Sequence, residues 1–416
     1  MSNLKSSIMN FRLKTISFFL SWLLVLGSML CNAQTDSVYR IGLILPFQTA
    51  STAEKLEAYT NAHDLFTANK ITLDADAITA IDFYQGVIEA LSEATDTFKI
   101  ELSVYDNWNN DSITTELLKK PELKKNDIII GSVSTSSAKL VADFCKQNKI
   151  VNIQPFTPSK SLTTANPYHI KLAPTIDAHT DVMYQSLVDS FPGANIIIYT
   201  TDAERHLSVA KRFDSLLRGY NATTTDKKFT VSLLNTKDMM VGGKKTTTAD
   251  LLSSTKQNIL ILTSFDESFV NGNLRVLHDK LAKDSTIIVY GLPTWLNGDV
   301  LRLDYVNDFH TRISDYFNEQ QAIIKQAPFI KQYTDRFNTT PARFAYLGYD
   351  VTNFLLYNLS EYGKGFTDYL ATQHYTGTAY KFDMAKNMKD KTTLNYYENV
   401  SVNVFAVDNY LLKRVW

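Results

Sequence analysis

The chain has 416 residues, with 42 Lys and Arg against 43 Asp and Glu, for a formal charge of −1. That length holds two domains with separate cores, and the balanced charge with no long basic run excludes nucleic acid as a main partner. With 44% hydrophobic residues, 12% aromatics, 15 Gly and 10 Pro, it is a folding chain, not a disordered one.

The first 33 residues read as a secretion signal. Lys5, Arg12 and Lys14 precede an apolar block from Ile16 to Leu26, then smaller residues and Cys31-Asn32-Ala33. Cleavage after Ala33 would make Gln34 the first mature residue, and Met9 is an equally good start. Leu30 stands where lipid attachment at Cys31 needs a small residue, which disfavours a lipoprotein anchor. The apolar block is also shorter than the roughly 20 residues that span a bilayer. After such cleavage Cys145 is the one cysteine left. An exported protein without an internal disulfide depends on its cores. Cys145 falls on the apolar side of a helical pattern, where a buried, inert thiol is expected.

Short apolar runs predict strands at 38–45, 99–105, 127–130, 149–153, 195–200, 229–234, 258–263 and 286–290. Amphipathic segments lie between them. Ile78, Ile81, Tyr84, Val87, Ile88 and Leu91 make one such apolar face at three-four spacing. The alternation predicts an α/β fold with parallel sheets covered on both sides by helices. Residues 48–74 are polar and too long for an ordinary strand-to-helix turn; they form an insertion with a short helix about 54–66, at the rim of any ligand crevice. From Tyr375 the helical period fades. Residues 400–407 and 410–415 then predict a hairpin turning at Asp408-Asn409.

The richest stretch is 127–162. Ile128–Ile130 end at Gly131 and give way to Ser132, Ser134, Thr135, Ser136 and Ser137 at the start of a helix. A second apolar run, Ile150 to Ile153, ends in Pro155-Phe156-Thr157-Pro158-Ser159. Two parallel strands would deliver two hydroxyl-rich turns to one sheet edge, where open α/β sheets bind ligands. Free N–H groups at the helix start suit an anion or carboxylate.

The order of segments resembles the type I periplasmic binding proteins, the leucine/isoleucine/valine-binding group, over nearly the whole mature chain. The elements carrying it are IGLILPF from Ile41, AIDFYQGVIEAL from Ala80, IELSVYDNW from Ile100, IIIGSVSTSSA from Ile128 and NIQPFTPS from Asn152. NIIIYTTDA from Asn195, NILILTSFDE from Asn258, IIVYGLPTWLN from Ile287 and the long run from Phe329 follow in order. The resemblance implies two Rossmann-like lobes joined by three crossovers with a ligand cleft between them. It places 35–170 with 292–362 in lobe 1 and 171–291 with 363–416 in lobe 2, with crossovers near Lys171, Gly291 and Gly363. A ligand touching both lobes would favour their closed arrangement.

On that resemblance the first-lobe ligand contacts fall on Ser134, Thr135, Ser136, Thr157 and Ser159. The same residues could serve only to cap the helix and shape the turn. Asp106 matches a recurrent aspartate, as a ligand contact or a loop cap. The second lobe departs from the pattern. Arg205-His206 stand near the place of a Tyr-Gly pair, and the acidic residue for an ammonium group aligns with Phe269, with Asp266 and Glu267 just before it. Free amino acids are therefore doubtful ligands, and Arg205 could face a more acidic one.

Seven scattered histidines show no paired ligand spacing, so no metal or other cofactor is expected. Gly242-Gly243-Lys244-Lys245 lacks the first glycine and the Ser/Thr of a phosphate loop and reads as a solvated loop. No Gly-x-Ser-x-Gly elbow appears, and no enzyme is expected. The aromatic run Phe344, Tyr346, Tyr349, Phe354 and Tyr357 reads as the core face of a helix after Pro341. Two functions remain. One is an exported solute-binding protein that captures a small polar ligand, amino-acid-like or otherwise carboxylate-bearing, for ABC-type uptake or sensing, with a membrane permease as partner. The other is an envelope scaffold or regulator that uses the cleft rim to bind a protein or cell-wall component. A monomer or weak dimer is expected.

Overall fold

The computed structural model describes residues 38–61, 71–94, 98–236, 240–241, 244–245, 247–281, 287–296 and 301–416. The expected signal segment, Cys31 and Gly242-Gly243 lie outside them. The chain first lays down β1 (Val38–Leu45), β2 (Lys99–Asp106), β3 (Ile128–Gly131), β4 (Val151–Gln154) and β5 (His169–Lys171). Next come β6 (Asn195–Thr200), β7 (Thr230–Asn235), the short pair β8 (Met240–Val241) and β9 (Lys244–Lys245), β10 (Asn258–Leu262), β11 (Ile287–Gly291) and β12 (Arg312–Asp315). The tail adds β13 (His374–Thr376), β14 (Lys381–Met388), β15 (Leu394–Asn399), β16 (Asn403–Asp408) and β17 (Leu411–Arg414).

Two large sheets result. One runs β13-β14-β15-β5-β4-β3-β1-β2 and the other β17-β16-β12-β11-β10-β6-β7. Their central pairs are parallel, as helical crossovers require. Each sheet has its own core. Leu43, Ile130 and Ile153 pack with Phe83 and Phe354 in the first, and Ile197, Ile261 and Val289 with Phe213 and Leu274 in the second. Cys145 is buried beneath the first sheet with Ile129 and Val141, and burial pushes its thiol pKa up. No helix of the described residues is long and apolar enough to cross a membrane.

In the first lobe the helices Ala75–Ser92 and Arg343–Tyr362 touch backbone to backbone. A Cβ on Gly86 would lie 2.0 Å from the Ala345 carbonyl oxygen, and one on Gly348 2.0 Å from that of Phe83. Only glycine permits this approach. It sets how closely the second helix, which begins at Arg343, lies against the first.

The carboxyl-terminal third is shared between the sheets differently from the expected division. Arg312–Asp315, placed by the resemblance in lobe 1, pairs with β11 and β16 in the second sheet. Residues 374–399, placed in lobe 2, join the first sheet through the parallel pair β15–β5. The chain therefore passes between sheets after Lys171, after Asp315 and between Asn399 and Asn403, instead of near Gly291 and Gly363. Side-chain amides tie these passages together: Asn399 Nδ2 donates to the Leu172 carbonyl at 3.2 Å and Asn403 Nδ2 to that of Asp315 at 3.3 Å. The tail hairpin forms as β16–β17, with Asn409 and Tyr410 at positive φ in its turn.

Candidate ligand cleft

The two hydroxyl turns meet at the carboxyl ends of β3 and β4. Ser134 caps the helix Thr135–Asn148, its hydroxyl accepting from Ser137 N at 3.2 Å while its own amide donates to Asn109 Oδ1 at 3.2 Å. Thr135 and Ser136 are exposed in the first turn of that helix. Thr157 is 5% exposed, and its hydroxyl lies 3.0 Å from that of Thr135, joining the turns. The same oxygen accepts from Ser159 N at 3.3 Å, and the Ser159 hydroxyl is 3.0 Å from that of Ser161. Lys171, fully buried on β5, donates from Nζ to the Ser159 carbonyl and lies 4.6 Å from the centre of the Tyr396 ring. Burial, opposed by the nearby Glu398 carboxylate, holds the Lys171 ammonium pKa down to about 8.

Beside Thr157 opens a cavity of about 540 Å³ that both lobes enclose. Phe156, Pro158, Tyr316, Arg343 and Phe344 come from the first, and Ile176, His179, Phe265, Pro293 and Thr294 from the second. Ala173, Pro174 and Asp315, on the passages between them, complete the wall. Arg343 forms a two-pronged ion pair with Asp315 at 2.7 and 2.8 Å. Its guanidinium also lies 5.4 Å from the Tyr316 ring centre and 5.1 Å from that of Phe317, within cation–π range of both. His179 is 4% exposed, with Nδ1 3.0 Å from the Ser314 hydroxyl. Burial is the largest cause of its lowered pKa, about 4, so the ring is neutral at pH 7.

No protein-family model and no curated protein matches the chain. Solved structures do. A protein described as a branched-chain amino acid ABC transporter, from Rhodospirillum rubrum, superposes with a TM-score of 0.63 at 12% identity, over 91% of this chain and 100% of its own. An ABC transporter substrate-binding protein from Desulfitobacterium hafniense, solved with Leu, gives 0.57 at 13% over 91% and 100%. A solute-binding protein of an ABC transporter from Rhodopseudomonas palustris, solved with 3,4-dihydroxybenzoic acid, gives 0.53 at 13% over 91% and 96%. This chain has the type I periplasmic binding protein fold. At such identities the likeness is one of fold, and proteins with this fold hold different ligands, so the ligand of this cleft has to be read from its own walls.

Against that periplasmic binding protein frame, three expected contacts prove to be structural. The Asp106 carboxylate is filled by donors: Gln48 N and Trp108 N at 3.1 Å on one oxygen, Thr49 N at 2.8 Å and the Thr49 hydroxyl at 2.9 Å on the other. It caps the helix Thr49–Thr60 and leaves nothing for a ligand. Asp266 accepts from Phe269 N at 3.0 Å and starts the helix Glu267–Leu281. Arg205 is exposed, donates from Nε to His206 Nε2 at 3.1 Å and lies 5.3 Å from the Phe265 ring centre. His206 Nε2 also accepts from Phe265 N at 3.2 Å, so the Arg205-His206 pair organises the loop that sends Phe265 into the cleft. Neither Arg205 nor Asp266 lines the cavity, and neither do Asp106, Ser134, Thr135, Ser136, Thr157 and Ser159; of the two turns, Phe156 and Pro158 reach it.

Of the residues that do line it, Phe156 and Pro158 belong to the second turn and Phe344 to the aromatic run, whereas Arg343, His179 and Phe265 were not singled out by sequence. Of that aromatic run, Tyr346 and Phe354 are buried as expected, but Phe344 faces the cleft and Tyr357 is 46% exposed. Among the described residues no three His, Cys, Asp or Glu side chains converge as metal ligands.

Proposed function

We propose that this chain is an exported, non-catalytic solute-binding protein that captures a small ligand between its lobes and presents it to an ABC-type permease or a sensor. The observation that carries this reading is the cavity itself: about 540 Å³, walled by both lobes beside three tied passages of chain. That volume suits a small organic molecule. A ligand touching both walls has more contacts when they approach, and that differential affinity would draw the lobes together. We assign a ligand's polar head group to the hydroxyls of Ser134, Thr135, Ser136, Thr157 and Ser159, of which Thr157 and Ser159 adjoin the lining residues Phe156 and Pro158 in the chain; none of the five lines the cavity itself. Asp106 is left out of this set because donors of the protein fill its carboxylate, and Arg205 and Asp266 because each serves the architecture of its own loop or helix start.

The test is ligand-induced thermal stabilisation across a library of amino acids, peptides, sugars and organic acids. A positive ligand should raise the midpoint of the wild-type protein, and Ser134→Ala combined with Thr157→Ala should abolish that increment, whatever its effect on the unliganded midpoint. Absence of any shift across the library would refute the reading.

A further inference from the structure

The wall of the cleft says more about its guest than the fold does. Four rings, those of Phe156, Phe265, Tyr316 and Phe344, line it together with three prolines. Its charged groups, Asp315 and Arg343, neutralise each other through two short bonds. A zwitterionic amino acid would bring two opposite charges to a surface with no free charge of either sign. Pulling Arg343 toward a ligand carboxylate would strand Asp315, which is 8% exposed. A flat apolar body meets no such obstacle and can lie against ring faces and edges.

One polar position is left open. His179 is more than nine-tenths buried and lines the cavity, and its Nδ1 is engaged with Ser314. Its Nε2 has no hydrogen-bond partner among the described residues. This nitrogen is not among the buried polar atoms without a partner, so it opens on the cavity; a guest that displaces water there and completes the hydrogen bond is selected over one that cannot. The ring is neutral, so it takes one ordinary hydrogen bond: it accepts from a hydroxyl or donates to a carbonyl, according to which nitrogen carries the proton.

We propose that the guest of this cleft is a planar apolar ring compound bearing one uncharged hydrogen-bonding substituent, which meets His179 Nε2 while the ring lies among Phe156, Phe265 and Phe344. The proposal rests on the solute-binding reading and specifies its ligand class; free aliphatic amino acids are excluded from it.

Isothermal titration of the full mature chain with 4-hydroxyacetophenone, 4-hydroxybenzoate, leucine and glutamate tests it. The two ring compounds should bind at one per chain, and leucine and glutamate should give no binding heat. Phe265→Ala, on a half-buried loop, should weaken ring binding at least fivefold, and His179→Leu about tenfold. Circular dichroism checks each variant's fold, and Phe265→Ala carries the test alone where His179→Leu does not fold. Leucine or glutamate binding in the cleft would overturn the ligand class while sustaining the solute-binding reading. Failure of both ring compounds, or ring binding untouched by Phe265→Ala, would overturn the class as well, leaving solute binding to the library screen.

Discussion

The two faces of the cleft are built on different chemistry. The first lobe brings hydroxyls, a buried lysine behind them, and Arg343 locked to Asp315. The second brings Phe265, Pro293, Thr294, Ile176 and a neutral imidazole, and spends its own arginine and aspartate on loop and helix architecture. Within the cavity the first face offers rings and a neutralised ion pair, and the second encloses an apolar body and adds one neutral hydrogen-bonding position at His179. A motif match on one lobe is thus a poor guide to the other, because the two sides of the same crevice are walled by different groups.

The contrast can be broken most severely at Arg343→Ala. It would leave Asp315 buried without its partner, and loss of one member of such a pair costs about 3–5 kcal/mol of unfolding free energy. The arginine keeps part of its surface in water, so the lower end is expected in denaturant melts. A loss under about 1 kcal/mol would mean the first face is not electrostatically locked.

A smaller effect separates the faces by pH. Burial holds His179 of the second lobe to a pKa of about 4, below its usual 6.5, with Asp315 opposing and Arg343 reinforcing the shift. A lowered folded-state pKa means the stability tied to the neutral ring is complete above about pH 6.5 and is lost as pH falls toward 4. His179→Gln should flatten that part of the profile. Asp350, raised by burial to about 6, acts in the opposite sense over the same range. The wild-type-minus-variant difference is therefore the quantity to follow in melts from pH 7.5 to 4, and an unchanged difference would place the imidazole in contact with water.

The smallest effect sharpens the comparison on the second lobe. Arg205→Ala should move stability by no more than about 0.5 kcal/mol, as an exposed substitution, and leave ligand response within twofold. A tenfold loss of affinity would restore the arginine to the ligand set.

Much of the fold was legible because strands buried on both faces are apolar throughout, and all eight predicted strands lie within about two residues of the observed ones. Besides the two-residue pair Met240–Val241 and Lys244–Lys245, the strands missed before the tail, His169–Lys171 and Arg312–Asp315, are short and polar; they are buried by their neighbours in the sheet and not by their own composition. The helix expected from about 54 begins earlier, at Thr49, because Asp106, far along the chain, supplies the cap that starts it; it runs to Thr60, and 62–66 lie outside the described residues. The hydroxyl turns were visible since each follows its strand directly. The cavity was not, because residues from six separate stretches converge there and no local pattern marks Arg343, His179 or Phe265 as neighbours.

The glycine contact between the helices Ala75–Ser92 and Arg343–Tyr362 has a bearing on how the molecule is made. The first of these helices is synthesised early, yet the surface that covers Phe83 and Gly86 arrives only with the last quarter of the chain. A nascent amino-terminal portion would therefore carry an uncovered apolar flank for most of its synthesis. Until its far end emerges, that flank stays open to whatever else can cover apolar surface, so the first lobe can close only after nearly all of the chain is made.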